Sequence, residues 1–168
     1  ASSDVVGVEI GGAMKNVISI ASGIAAGRKL GDNARATLVT LGLAETSRLG
    51  LVKGAELQTF LGLAGAGDMM LTAHSLQSRN TSLGVALGEG RQLADVLAER
   101  KEVTEGAFSV EAVAALARHL HVDMPITQVL DALLSRGVGL DAATAQLFKH
   151  LPALCRVGNN ADSAGKPV

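Results

Sequence analysis

The sequence predicts an all-α domain, and three observations carry the prediction. Every long apolar stretch repeats at intervals of three and four residues, the spacing of one helix face, and none alternates long enough to make a strand. Apolar residues make up 48% of the chain but aromatic residues only 2%, with no Trp and no Tyr, so the core is built from Ala, Leu, Val, Ile and Met, which suit closely packed helices. The 168 residues are enough for one domain that buries roughly 70% of its unfolded surface.

A first helix is predicted from Glu9 to Ala26, with Ile10, Met14, Val17, Ile18, Ala21 and Ala25 at helical spacing. It is apolar around most of its circumference, which places it at the centre of the fold. Gly12, Lys15, Ser19 and Ser22 make a narrow strip along it. Arg28 and Lys29 suit the negative end of its dipole, and Gly31 its stop. Asp32 or Asn33 caps a second helix that runs to about Arg48, with Gly50 near its end. Residues 51–67 read as a short helix at Ala55 to Leu61 and then a turn, where Gly62, Gly65 and Gly67 free the backbone. Asp68 caps a short helix through Thr72 and His74. Ser78 or Asn80 opens the next, weakened by Gly84 and stopped near Gly88 and Gly90.

Leu93 to Arg100 forms another short helix. Thr104 or Glu105 begins a longer one with Val110, Val113, Ala114 and Ala117 on one face, and Pro125 occupies the first turn of the helix after it. Asp141 caps a last helix to about His150, where Pro152 discourages continuation. From Arg156 onward periodicity is lost. The organisation expected is a helical domain at 1–152 and a frayed tail at 153–168.

Charge and composition exclude several roles. A formal net charge of -1 provides no basic field for nucleic acid and no polybasic patch for a membrane surface. Asp4, Glu9 and Lys15 interrupt the apolar N-terminal stretch, so it reads neither as a signal peptide nor as a span, and a soluble protein is expected. Cys155 is the sole cysteine; no internal disulfide is possible, which accords with a cytoplasmic location.

Three places can carry chemistry. Lys15 sits on an otherwise apolar, glycine-flanked helix, a poor place for a lysine in a closed core. A lysine drawn out of water favours its neutral amine, the form that takes a proton; the plainer alternative is that Lys15 snorkels to the surface. Gly11-Gly12 beside it would let a chain segment or a ligand approach the helix closely. Asp68 and Thr72 share one helical face, where Asp68 either orients a lysine amine or a polyol, or is an ordinary cap. Ser78-Arg79-Asn80 at a helix N-terminus combines free N–H groups, a hydroxyl, a guanidinium and an amide. That set suits a phosphate, or else a capped surface helix. Gly65-x-Gly67 and Gly88-x-Gly90 fall short of a dinucleotide fingerprint and follow no strand. His119 and His121 diverge on a helix, so no metal site is expected. Glu105 reads as a first-turn acid, and Cys155 lacks an activating partner.

Taken in order, Gly7-Val8-Glu9-Ile10-Gly11-Gly12-Ala13-Met14-Lys15-Asn16-Val17-Ile18, Gly31-Asp32-Asn33-Ala34-Arg35-Ala36, Gly42-Leu43-Ala44-Glu45, Gly62-Leu63-Ala64-Gly65-Ala66-Gly67-Asp68, Ser78-Arg79-Asn80, Val103-Thr104-Glu105-Gly106 and Met124-Pro125-Ile126-Thr127 resemble the bacterial NAD(P)-dependent glycerol-3-phosphate dehydrogenases. The resemblance spans residues 4 to 150. It implies a helical fold similar to the C-terminal domain of 6-phosphogluconate dehydrogenase. The implied reaction interconverts sn-glycerol 3-phosphate and dihydroxyacetone phosphate with NAD or NADP. Lys15 would accept the C2 hydroxyl proton, Asp68 would hold that amine and the substrate with Thr72 nearby, and Ser78, Arg79 and Asn80 would bind the substrate. Arg79, Val103 and Glu105 would touch the cofactor. Relatives carry an N-terminal Rossmann domain with the glycine fingerprint and most cofactor contacts. That domain is expected to be absent here, leaving the chain inactive alone, with an apolar docking face that favours a homodimer. Leu41, Thr81-Ser82-Leu83 and Ala107-Phe108-Ser109 depart from the family pattern. The competing class is a non-catalytic helical interaction or dimerisation module that keeps the fold, and the two are separated by whether Lys15 and Asp68 converge.

Overall fold

A computed structural model describes residues 3–99 and 104–146, with side chains from 106 onward in the second span. The described residues are helical, without strands. The order is α1 (Val5–Gly27), α2 (Asp32–Val52), α3 (Leu57–Leu61), a π-helical turn (Leu63–Gly67), α4 (Asp68–His74), α5 (Arg79–Gly88), α6 (Leu93–Glu99), α7 (Thr104–His119) and α8 (Pro125–Ser135). Residues 140–146 are also helical. The predicted end of that helix at His150 and the tail at 153–168 lie outside the described residues.

α1 is the axis, packed against α2, α4, α5, α7 and α8. It is long and apolar enough to cross a membrane, but Met14, Val17, Ile18 and Ile20 are wholly buried inside the protein. It begins four residues earlier than the hydrophobic repeat predicts, because Asp4 caps it by accepting a hydrogen bond from Gly7 N at 2.8 Å. The same carboxylate accepts from Glu56 N at 2.8 Å and Thr59 Oγ1 at 2.7 Å. These donors, Thr59 foremost, hold its pKa below the usual carboxylate value.

The α1–α5 crossing is a contact of backbone on backbone. Gly23 and Gly27 of α1 face Gly84 and Gly88 of α5, four residues apart on each helix. A Cβ on Gly23 would press on the Thr81 carbonyl, on Gly84 the Ile20 carbonyl, on Gly27 the Val85 carbonyl and on Gly88 the Ile24 carbonyl, each inside 3.0 Å. Gly84, read from the sequence as a weakness in α5, is there because nothing larger fits.

The strip predicted along α1 is largely closed rather than solvated. Ser19 and Ser22 are fully buried. Ser22 Oγ donates to the Ala73 carbonyl at 2.8 Å, and the Arg35 guanidinium donates to the same carbonyl at 2.9 Å and to Ser22 Oγ at 3.2 Å. The C-terminus of α4 is thus tied to both α1 and α2. The N-cap of α2 is Gly31, in the left-handed region at φ 84°, and Asp32 makes no cap bond, contrary to the expectation for Asp32 or Asn33.

Glu45 is a buried anchor. Its Oε1 accepts from Ile126 N at 2.6 Å, and its Oε2 accepts from Thr127 N at 3.3 Å and Thr127 Oγ1 at 2.9 Å. A side chain of α2 therefore caps α8, whose own N-cap, Met124, has none to offer. Burial pushes the Glu45 pKa up to about 7, against the opposing pull of those donors and Arg48. Asp131 is nearly buried in turn, between Arg118 at 2.9 Å and Arg136 at 3.4 Å.

Two predictions follow from these contacts. Gly84→Ala places a methyl group against the α1 backbone and lowers stability by about 2 kcal/mol or more, although alanine is the better helix former; denaturant unfolding followed by circular dichroism measures it. For Glu45 the folded pKa lies above the ordinary 4.5, so the native state holds its proton more tightly than the unfolded chain. Its stabilising contribution is full below pH 4.5 and is lost as pH rises through 7. Between pH 5 and pH 8 the protein loses about 2 to 3 kcal/mol more than Glu45→Gln does. Equal losses in the two proteins would mean that Glu45 is ionised throughout.

Candidate active site

The site is assembled where α1, α4, α5 and α7 meet. Gly11 lets the π-helical turn lie against α1: a Cβ there would stand 2.8 Å from the Ala64 carbonyl oxygen. Gly65 in turn packs onto the Phe60 backbone. Lys15 is one turn beyond Gly11 and Asp68 one turn beyond Ala64, so the close approach of the two backbones brings their side chains together. Lys15 Nζ and Asp68 Oδ2 are 2.8 Å apart.

Asp68 is not the helix cap that its position suggests. The π-helical turn runs directly into α4, so Asp68 enters a helix already formed and makes no cap bond. Its second oxygen, Oδ1, accepts from Thr72 Oγ1 at 3.3 Å. Both carboxylate oxygens are thereby fixed, one by the hydroxyl a turn later and one by the amine. The Lys15 and Asp68 side chains keep 29% and 42% exposure. A pair so open to water adds little stability. What it does is hold a lysine amine in one place at the surface, within reach of a ligand.

A second network starts at the next residue of α1. Asn80 Nδ2 donates to Asn16 Oδ1 at 2.9 Å, and Asn16 Nδ2 donates to Ser109 Oγ at 3.2 Å. Gly106 completes the fit, since any Cβ on it would collide with the Asn80 amide. Thr81 Oγ1 donates to the Thr72 carbonyl at 2.9 Å, tying the start of α5 to α4. Ser78 is the N-cap of α5, its Oγ accepting from Thr81 N at 3.4 Å, and Arg79 is the first, exposed residue of that helix.

Lys15, Asp68 and Thr72 therefore converge, with Asn80 tied to Asn16, the next residue of α1, and Ser78 and Arg79 at the same helix terminus. Val103 lies outside the described residues, as does the Glu105 side chain, although Glu105 falls in the first turn of α7. Asn16, Ser109, Thr81 and Gly106 belong to the site and were not singled out by residue type; a pattern of spacing along one chain has no means of finding contacts between residues 93 apart. Two departures from the family pattern prove to be interior ones. Leu41 is buried in the core, as are Thr81 and Leu83. Among the described residues no group of three His, Cys, Asp or Glu is placed to hold a metal. An apolar cavity of about 280 Å³ lies at the other end of α1, lined by Ile24, Leu38 and Leu133 among others, and contains none of the site residues.

Residues 4–145 match the family model for the C-terminus of NAD-dependent glycerol-3-phosphate dehydrogenase. The glycerol-3-phosphate dehydrogenase [NAD(P)+] of Rhodospirillum rubrum is 53% identical over 150 residues, covering 89% of this chain and 43% of the relative. That of Parvibaculum lavamentivorans is 50% identical over 149 residues, covering 89% and 45%. The crystal structure of glycerol-3-phosphate dehydrogenase from Coxiella burnetii superposes with a TM-score of 0.83 at 39% identity, over 89% of this chain and 45% of that one. The chain spans less than half the length of these relatives. With the family model matching nearly the whole described chain and the fold in agreement, the chain belongs to the NAD-dependent glycerol-3-phosphate dehydrogenase family, as its C-terminal domain.

Proposed function

We propose that this domain supplies the proton-transfer and phosphate-binding half of an active site that interconverts sn-glycerol 3-phosphate and dihydroxyacetone phosphate. The observation that carries the reading is the Lys15–Asp68 pair, joined at 2.8 Å yet open to solvent. In the reductive direction the Lys15 ammonium, held by Asp68, gives a proton to the C2 oxygen as C2 takes up a hydride, and the oxidative direction is the reverse. Asp68, braced by Thr72, keeps the amine aimed at that oxygen. The α5 N-terminus, with Ser78, Arg79 and Asn80, receives the phosphate at the positive end of the helix dipole through the Arg79 guanidinium and the neighbouring polar side chains. The Asn80–Asn16–Ser109 chain fixes the Asn80 amide before the substrate arrives.

NAD or NADP, when bound, supplies the hydride acceptor. Arg79, Val103 and Glu105 are the residues of this domain that the family resemblance implies would touch it. Exposed Leu63, Met70 and Leu71, on the turns flanking Asp68, fit an apposed nucleotide-binding domain better than they fit open water. Left uncovered, the same residues favour a homodimer of the isolated chain. The working location is the cytoplasm.

The test is a chimera joining this chain to the N-terminal half of the Rhodospirillum rubrum relative, assayed by NADH oxidation with dihydroxyacetone phosphate. Turnover is expected from the chimera and none from the chain alone. Lys15→Ala should lower kcat by about 10²- to 10⁴-fold with the fold intact. Arg79→Ala should raise KM for the phosphorylated substrate more than it lowers kcat. A folded chimera with no turnover would leave a helical interaction module as the better reading.

A further inference from the structure

We propose that Gly12 is the seat for the carbon chain of the substrate, a surface residue kept without a side chain so that a three-carbon phosphate can lie directly on the α1 backbone under the Lys15 amine. The inference rests on the function proposed above and adds a residue to it.

Glycine inside a helix is unfavourable relative to alanine, so each one calls for a reason. Among the described residues of α1, α2, α5 and α7 the reasons are steric. Gly7, Gly11, Gly23, Gly27, Gly42, Gly50, Gly84, Gly88 and Gly106 each have a neighbour that an added Cβ would strike inside 3.0 Å. Gly12 is the exception: a Cβ there would meet nothing within 4 Å. Nothing among the described residues uses the missing side chain, and α1 would be the better helix with alanine in its place.

Its position supplies the use. Lys15 lies three residues on and Asn16 four, on the same face. Helical side chains lean toward the N-terminus, so both project over the turn that begins at Gly12. Lys15 is held there by Asp68 at 2.8 Å, and Asn16 by Asn80 at 2.9 Å. The bare backbone at Gly12 thus underlies the proton-transfer amine and adjoins the amide that leads to the phosphate end. A small substrate must bring its C2 oxygen within hydrogen-bond reach of Nζ, about 3 Å. A methyl group at Gly12 would fill the space its carbons need.

The experiment is Gly12→Ala in the chimera and in the isolated chain. In the chimera, KM for dihydroxyacetone phosphate should rise about tenfold or more while KM for NADH stays within about twofold. The isolated chain should melt at the same temperature or about 2 °C higher, since only helix propensity changes. An unchanged substrate KM would overturn the proposal. So would a loss that falls on NADH, which would assign the open space to the nicotinamide ring, or a lower melting temperature, which would mean that Gly12 packs after all. A wild-type chimera without turnover would sink the parent function, and this assignment with it.

Discussion

The structure depends on how closely α5 can approach α1. Gly23 and Gly27 against Gly84 and Gly88 bring two backbones together with no side chain between them. That approach sets where the α5 N-terminus falls, and with it Asn80, whose amide meets Asn16 at 2.9 Å. A crossing filled by alanine would hold the two helices farther apart, and amide-to-amide hydrogen bonds have little tolerance for an extra ångström. Gly11 plays the same part for the π-helical turn and Asp68. The site is thus positioned mainly by glycines, residues that take no part in its chemistry.

The polar groups divide by environment. Those that hold the frame are buried or half-buried and satisfied: Glu45 on the α8 N-terminus, Ser22 and Arg35 on the Ala73 carbonyl, Asp131 between two arginines. Those assigned to chemistry are fixed but accessible. Asp68 is braced from behind by Thr72, Lys15 is braced by Asp68, and both keep a face toward water. A reactive group needs a supporting shell that holds its rotamer without covering it, and this arrangement meets that need.

Much of this was legible in the sequence. Hydrophobic spacing was enough for α1 and α7, whose buried faces repeat at intervals of three and four, while cap, glycine and proline signals marked α2, α5 and α8. Ends were less legible where the stop or start signal was tertiary. Asp4 caps α1 while also binding the segment before α3, and α8 borrows its cap from Glu45, 81 residues earlier. The sharpest misreading was Asp68 as a cap. A helix-favouring stretch after three glycines looks like a fresh start, and only the π-helical turn makes it a continuation. Lys15 stood out because a charge on an apolar helix demands a partner, but its partner was found through ordered motifs rather than through spacing. Asn16, Ser109 and Gly106 left no local trace, since their roles exist only across helices.

Apart from Gly11-Gly12, read as a place of close approach, glycine was read from the sequence as a residue that loosens: a weak point in α5, a freedom in the turn at 62–67. In the structure most of the helical glycines do the reverse, fixing distances that no other residue would permit. A glycine's meaning therefore comes from what stands opposite its missing Cβ. Where that is a backbone carbonyl, as at Gly11 or Gly84, the residue specifies packing, and substitution should appear first in stability. Where it is open space beside a poised amine, as at Gly12, packing among the described residues has no claim on the residue. Stability and substrate affinity then separate under one methyl group, and that separation distinguishes a glycine kept for the fold from one kept for a ligand.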